Sequence, residues 1–157
     1  MTIFTDGGVN HNNRKNINNI GGYAYIILND SGIKIHEYVN KTRQTTNNRM
    51  ELSAVIAALS YIKNSDEEII IYSDSTYVVS PFELKWINKW KDNNFLKKNS
   101  VEEMPNASLW KELCELLQNF PNVNFKWIKA HQNQNTWNDY VDKLVQSVYQ
   151  KNFTVIN

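Results

Sequence analysis

Five carboxylates sit where chemistry could use them: Asp6 in IFTDGG, Glu51 in TTNNRMEL, Asp74 in IYSDST, and Asp139 and Asp142 in NDYVDKL. Carboxylate oxygens are hard donors. A cluster of them without a Cys or His ligand set suits Mg²⁺ or Mn²⁺. Zinc is disfavoured, because the chain has no spaced set of Cys and His. Two hard cations a few ångströms apart can activate a water and stabilise the leaving oxygen of a phosphodiester. Each acid also has a plainer reading. Asp suits the end of a strand or the start of a helix. Asn48-Arg49-Met50-Glu51 fits the capping pattern of a short polar residue followed three later by Glu, and an acid in the first turn suits the helix dipole. Taken alone, Glu51 reads better as a cap than as a ligand.

The elements that must position these acids follow from periodicity. Ile3-Phe4-Thr5 reads as the end of a short strand, halted by Asp6-Gly7-Gly8, and residues 9–20 as a polar loop with His11 in solvent. Residues 23–28 and 33–39 are β-rich runs joined by the hairpin turn Asn29-Asp30-Ser31-Gly32. Met50, Val55, Ile56, Leu59 and Ile62 follow helical spacing, and 69–72 is a short apolar run expected as a buried strand. Amphipathic segments follow over 75–90 and 108–120, then a fifth strand over 123–128. A closing helix over 137–150 has Val141, Leu144, Val145 and Val148 on its apolar face. Helical crossovers make strands one, four and five parallel. The expected class is α/β, a five-stranded mixed sheet flanked by helices. Asp6 and Asp74 then follow parallel strands at their carboxyl ends, the edge where open α/β sheets place sites. On the last helix Asp142 lies nearer the edge of the apolar stripe, while Asp139 lies almost opposite it.

Bulk properties set the outer limits. The 157 residues fit one compact domain over 1–157, with no internal repeat and no linker that would split it. Hydrophobic residues at 41% and charged residues at 21% describe a soluble globular chain rather than a disordered one. No apolar run approaches a membrane span, and MTIFTDGG lacks the pattern of a signal peptide, so an intracellular chain without membrane partners is expected, and a monomer. The single cysteine, Cys114, excludes an internal disulfide and reads as a small buried hydrophobe. Lys+Arg 17 against Asp+Glu 16 gives a net charge of +1, so any electrostatic footprint for nucleic acid must come from local clustering.

Taken in order, IFTDGG, TTNNRMELSAVIAAL, IYSDSTYVV, WINKW, NASLW, and KAH with a later NDYVDKL are similar to the motifs of type 1 ribonuclease H over almost the whole chain. The resemblance implies the ribonuclease H-like fold of a free-standing catalytic domain. It implies endonucleolytic cleavage of the RNA strand of an RNA–DNA hybrid, leaving 3′-hydroxyl and 5′-phosphate ends, with two Mg²⁺ ions, or Mn²⁺ in their place. Asp6, Glu51, Asp74 and Asp142 match the family's metal-binding carboxylates, which selects Asp142 over Asp139. His131 of KAH matches a histidine that assists turnover, in proton transfer or product release. Asn47 and Asn48 match residues that contact the hybrid in its minor groove, with the backbone of Gly7 nearby, and RNA is marked there by its 2′-hydroxyls. Thr46 and Asn106 match two members of a pocket for a DNA-strand phosphate. Lys85, Trp86, Lys89 and Trp90 fall in a basic protrusion that grips the DNA strand and makes binding salt-sensitive. Read unaided, the two tryptophans, four apart on one helical face, suit a core equally well.

Departures from the family pattern are also plain. Residues 9–20 form a longer, Asn-rich segment. Gln44 stands where the phosphate pocket usually has Arg, with Arg43 one residue away. Glu102-Glu103 dilute the charge after the protrusion, and the loop after His131 is about one residue longer. A binding module that has lost catalysis, or a domain that works only within a replication or reverse-transcription assembly, is the main alternative. A resolvase-like nuclease of the same superfold is disfavoured by TTNNRMEL and the protrusion.

Overall fold

β-rich runs, two of them joined by a short turn, open the chain, and they pair as a meander. In the computed structural model, which describes residues 1–10, 18–130 and 136–150, these strands are β1 (Thr2–Val9), β2 (Ile20–Leu28) and β3 (Lys34–Arg43). The β2–β3 turn has Asn29 Oδ1 accepting from the backbone N–H groups of Ser31 and Ile33, with Gly32 at φ 76°. Then come α1 (Asn47–Ile62), β4 (Ile69–Ser73), α2 (Thr76–Glu83), α3 (Trp86–Asp92), α4 (Ala107–Leu117), β5 (Val123–Trp127) and α5 (Trp137–Ser147). The sheet order is β3-β2-β1-β4-β5. The β1–β2 and β2–β3 pairs are antiparallel, and the β1–β4 and β4–β5 pairs are parallel, as the crossovers require.

Strand β1 does not stop at Asp6. It continues to Val9 because β2 pairs along its whole length, through Asp6↔Ala24 and Gly7↔Tyr23 to Val9↔Gly21. Only the parallel partner stops early, at Phe4↔Tyr72. Asp6 is therefore inside a strand yet past the end of β4, at an open edge. β2 and β3 are also longer than their apolar runs, since Gly21, Gly22, Lys41 and Thr42 extend the ladder without an apolar signal.

The 75–90 segment is two helices rather than one. Pro81 lacks the N–H that would continue the ladder near the end of α2. Lys85 then takes φ 61°, in the left-handed region, and turns the chain into α3.

Alternation along the strands sends side chains to two faces. On one, Ile3, Tyr25, Ile27, Ile69 and Ile71 pack with Leu52, Val55 and Leu59 of α1, Val78 and Val79 of α2, and Trp110 and Leu113 of α4. Cys114 is buried among them, as expected. On the other, Ala24, Ile26 and Leu28 pack with Val141 and Val145 of α5. Trp110 is fully buried, with the rings of Tyr77, Phe82 and Trp90 against it. Truncating such a residue to Ala costs about 3–5 kcal/mol. No helix among the described residues is long and apolar enough to cross a membrane.

Candidate active site

Three elements bring acids to the open edge. Asp6 comes from β1, Glu51 from the second turn of α1, and Asp74 from the residue after β4. One carboxylate oxygen from each lies within 4.8 Å of the others, and Asp6 and Glu51 are buried. Asp142 of α5 lines the same cavity, of about 390 Å³, within hydrogen-bonding reach of Asp6. Asp139 does not line it. Its backbone N–H donates to Thr136 Oγ1, the N-cap of α5, which places Asp139 in the first turn.

Glu51 reaches Asp6 because nothing separates α1 from β1 at Gly7. A Cβ on Gly7 would lie 2.4 Å from the carbonyl carbon of Met50. The helix starts one turn earlier by other means. Thr46 is the N-cap, its Oγ1 accepting from the Arg49 N–H at 3.2 Å. The capping pattern read at Asn48 and Glu51 is thus not the one used: a cap needs extended backbone, which Thr46 has, while Asn48 is already helical.

Burial first, and crowding second, set the electrostatics. Burial, then the charges of Asp74 and Asp142, pushes the Asp6 carboxyl well above its ordinary value, against a lowering hydrogen bond from the Gly7 N–H. Burial, then Asp6, Asp74 and Asp142, does the same to Glu51, again opposed by the Gly7 N–H. Glu51 Oε2 is buried without a hydrogen-bond partner among the described residues. An all-oxygen donor set, mutual repulsion and an unpartnered buried oxygen fit a hard divalent cation, which would remove the last two costs together.

Neutral polar groups flank the acids. Gly7, Gly8, Asn47 and Asn48 line the cavity, and Asn47 Oδ1 accepts from the Val9 N–H at 2.8 Å. Beside it, Asn106 takes φ 59° at the N-cap of α4. Asn106 Nδ2 donates to Tyr77 Oη, which also accepts from Trp110 Nε1, and its Oδ1 accepts from Arg49 Nη1 at 3.4 Å. Thr46 and Arg49, both exposed, and half-buried Asn106 therefore form one polar group. Gln44 turns elsewhere, its Nε2 donating to Asn18 Oδ1. Arg43 stands exposed at the end of β3, paired with Ile20.

The protrusion separates its two tryptophans. Trp86 is 46% exposed, while Trp90 packs edge-on to Trp110 at 5.2 Å between ring centres. Lys85 and Lys89 are exposed. Lys89, Trp90, Lys97 and Lys98 line a second hollow. Glu102 pairs with Lys97 at 2.9 Å, and Glu103 with Lys111 at 3.0 Å, so these acids do offset local basic charge. His131 lies outside the described residues, as does His11.

Periodicity and motif reading passed over several residues here. Arg49 sits within TTNNRMEL, two before Glu51, and its position in the motif was the available signal. Trp127 Nε1 donates to the Asp74 carbonyl at 3.0 Å and ties β5 to the start of α2. Tyr149 also lines the cavity, seven residues beyond Asp142 in the turn that follows α5.

Carboxylates gathered at the carboxyl edge of a mixed five-stranded sheet, with helices on both faces, define an α/β domain built around an acidic centre. A family model described as RNase H matches residues 1–150. The ribonuclease HI of Synechocystis sp. is 34% identical over 157 residues, spanning 100% of this chain and 92% of the relative. The ribonuclease H of Clostridium botulinum is 40% identical over 144 residues, spanning 92% and 91%. LC9-RNase H1, a type 1 RNase H with the type 2 active-site motif, superposes with a TM-score of 0.76 at 23% identity, over 93% of this chain and 70% of that one. LC11-RNase H1, solved in complex with an RNA/DNA hybrid, gives 0.67 at 21%, over 95% and 99%. The chain belongs to the ribonuclease H family.

Proposed function

We propose that this chain is an endonuclease that hydrolyses the RNA strand of RNA–DNA hybrids with two divalent ions, Mg²⁺ or in its place Mn²⁺, leaving 3′-hydroxyl and 5′-phosphate ends. The observation that carries this reading is the acidic centre, three carboxylates within 4.8 Å with Asp142 against Asp6, in a chain of this family. Asp6, Glu51, Asp74 and Asp142 would hold the ions, and Glu51 Oε2 would gain the partner it lacks. When bound, the ions would activate a water and stabilise the leaving oxygen of the phosphodiester.

The chain's own residues do the rest. Gly7 holds the Asp6–Glu51 approach and donates its N–H to the acids. Asn47, fixed through its Oδ1 by Val9, and Asn48 offer amides to the minor groove of the hybrid. Thr46, Arg49 and Asn106 take a phosphate of the DNA strand, with Arg49 supplying the guanidinium that Gln44 does not. Lys85, Trp86 and Lys89 hold the same strand further along, while Trp90 anchors their helix to the core. His131 assists turnover on the strength of its KAH motif.

The test is cleavage of a labelled RNA–DNA hybrid with and without Mg²⁺, beside duplex DNA, duplex RNA and junction DNA. Metal-dependent cutting confined to the RNA strand of the hybrid is expected. Equal cutting of duplex DNA, or full activity in Asp74→Asn, would overturn the reading. Tight hybrid binding without cleavage at any Mg²⁺ or Mn²⁺ concentration would favour a binding module instead.

A further inference from the structure

Resting on the hybrid reading above, we infer that Tyr149 recognises the RNA strand: its phenol hydroxyl meets a 2′-hydroxyl beside the acidic centre. Asp142, Val145, Gln146 and Tyr149 recur at helical spacing, and all four line the cavity that holds the carboxylates. The ring packs on the second core with Val141 and Val145, so the phenol is fixed from behind. Its oxygen sits over β1. A Cβ on Gly8 would lie 3.6 Å from Tyr149 Oη and 3.5 Å from Asn47 Oδ1. The phenol from the turn that follows α5 and the amide from the first residue of α1 thus converge over one glycine.

The chemistry of that point selects its ligand. The strand to be cut must cross the carboxylates, and Tyr149 lines their cavity, whereas Thr46 and Asn106 do not. A phenol is neutral and both donates and accepts, which matches a sugar hydroxyl that does the same. A phosphate would be met better by a cation, and the surroundings here are acidic. A 2′-hydroxyl exists only on RNA, so a contact at this point discriminates between the strands of a hybrid.

The test is Tyr149→Phe, which keeps the ring and removes the hydroxyl. Binding is read by fluorescence anisotropy with Ca²⁺ in place of Mg²⁺, and turnover with Mg²⁺. The probes are a hybrid, a DNA duplex of the same sequence, and hybrids with a single 2′-deoxy nucleotide at successive positions. The variant is expected to melt like the parent and lose about threefold to tenfold in hybrid affinity and kcat/KM, the size of one hydrogen bond. DNA-duplex binding should not change. One 2′-deoxy position should cost the parent the same factor and the variant nothing further. Hybrid affinity indistinguishable from the parent, an equal loss on the DNA duplex, or an unaltered 2′-deoxy profile would each overturn the assignment. A parent chain that binds the hybrid without cutting it would instead overturn the cleavage reading, with the anisotropy comparison still deciding Tyr149.

Discussion

Gly7 and Met50 meet with no room for a methyl group. A Cβ on Gly7 would lie 2.4 Å from the Met50 carbonyl carbon, 2.5 Å from its oxygen and 2.6 Å from the Glu51 nitrogen. All three atoms are backbone, so no side-chain rotation relieves the clash. Gly7→Ala should lift the start of α1 from β1 and carry Glu51 away from Asp6. The expected cost is about 1–3 kcal/mol in urea unfolding. A displacement of about one ångström should also lower hybrid cleavage roughly 100-fold. Unfolding and cleavage both unchanged would show that the approach is not needed.

Glu51→Gln separates a metal ligand from a cap. Thr46 already caps α1, so a Gln should leave the fold intact and raise the metal-free melting temperature by removing a buried acid and, second, its repulsion with the other carboxylates. Mg²⁺ binding by calorimetry should weaken. Cleavage should fall by about 100-fold or more, as expected for several kcal/mol of metal-borne stabilisation. Thr46→Ala is the converse and should cost about 1 kcal/mol of stability as a lost cap. Sustained cleavage in Glu51→Gln would return Glu51 to a structural role.

The acids also set a pH dependence in the metal-free chain. Burial, then neighbouring carboxylates, holds Asp6 and Glu51 well above their ordinary values of 3.8 and 4.5. Above those values the folded chain keeps protons that the unfolded chain has released, so the slope of stability with pH is negative. The contribution is full below the unfolded values and is lost as pH rises through the raised ones. In EDTA, the urea midpoint should rise as pH falls from neutral to mildly acidic, before other carboxylates protonate. Saturating Mg²⁺ should flatten that trend by holding the acids ionised. A flat profile in EDTA would contradict the crowding.

Arg49 and Arg43 can be told apart by salt. Arg49 reaches Asn106 Oδ1, while Arg43 ends an edge strand. Arg49→Gln should weaken hybrid binding several-fold and reduce the slope of log affinity against log salt by roughly one phosphate contact, about 0.9. Arg43→Gln should leave the slope near that of the parent. The reverse pattern would give the guanidinium role to Arg43.

Trp127 offers a test of positioning. Its indole N–H is donated to the Asp74 carbonyl. Trp127→Phe should lower kcat more than it raises KM, because the affected acid lies in the centre rather than along the strand contacts. A change confined to KM would make Trp127 a substrate contact.

Residue identity and order by themselves determined most of this protein. Apolar periodicity marked the helix of Met50 to Ile62 and the buried strand at 69–72, the crossovers required the mixed sheet, and the motif series marked the acids. Local signals failed where a distant partner decides. Asp6-Gly7-Gly8 looks like a strand end, yet β2 carries the ladder through it, and only the shorter pairing with β4 leaves Asp6 at an edge. Asn48 and Glu51 satisfy a capping pattern, yet the extended backbone falls at Thr46. The segment 75–90 keeps helical periodicity across Lys85, where a left-handed residue divides it. Asp142 was preferred to Asp139 from the helical stripe and the motif, whereas the seat of Arg49 against Asn106 and the convergence of Tyr149 and Asn47 over Gly8 were decided only in three dimensions. Each depends on residues far apart in the chain reaching one point, and periodicity reports which face a residue takes but not what meets it there.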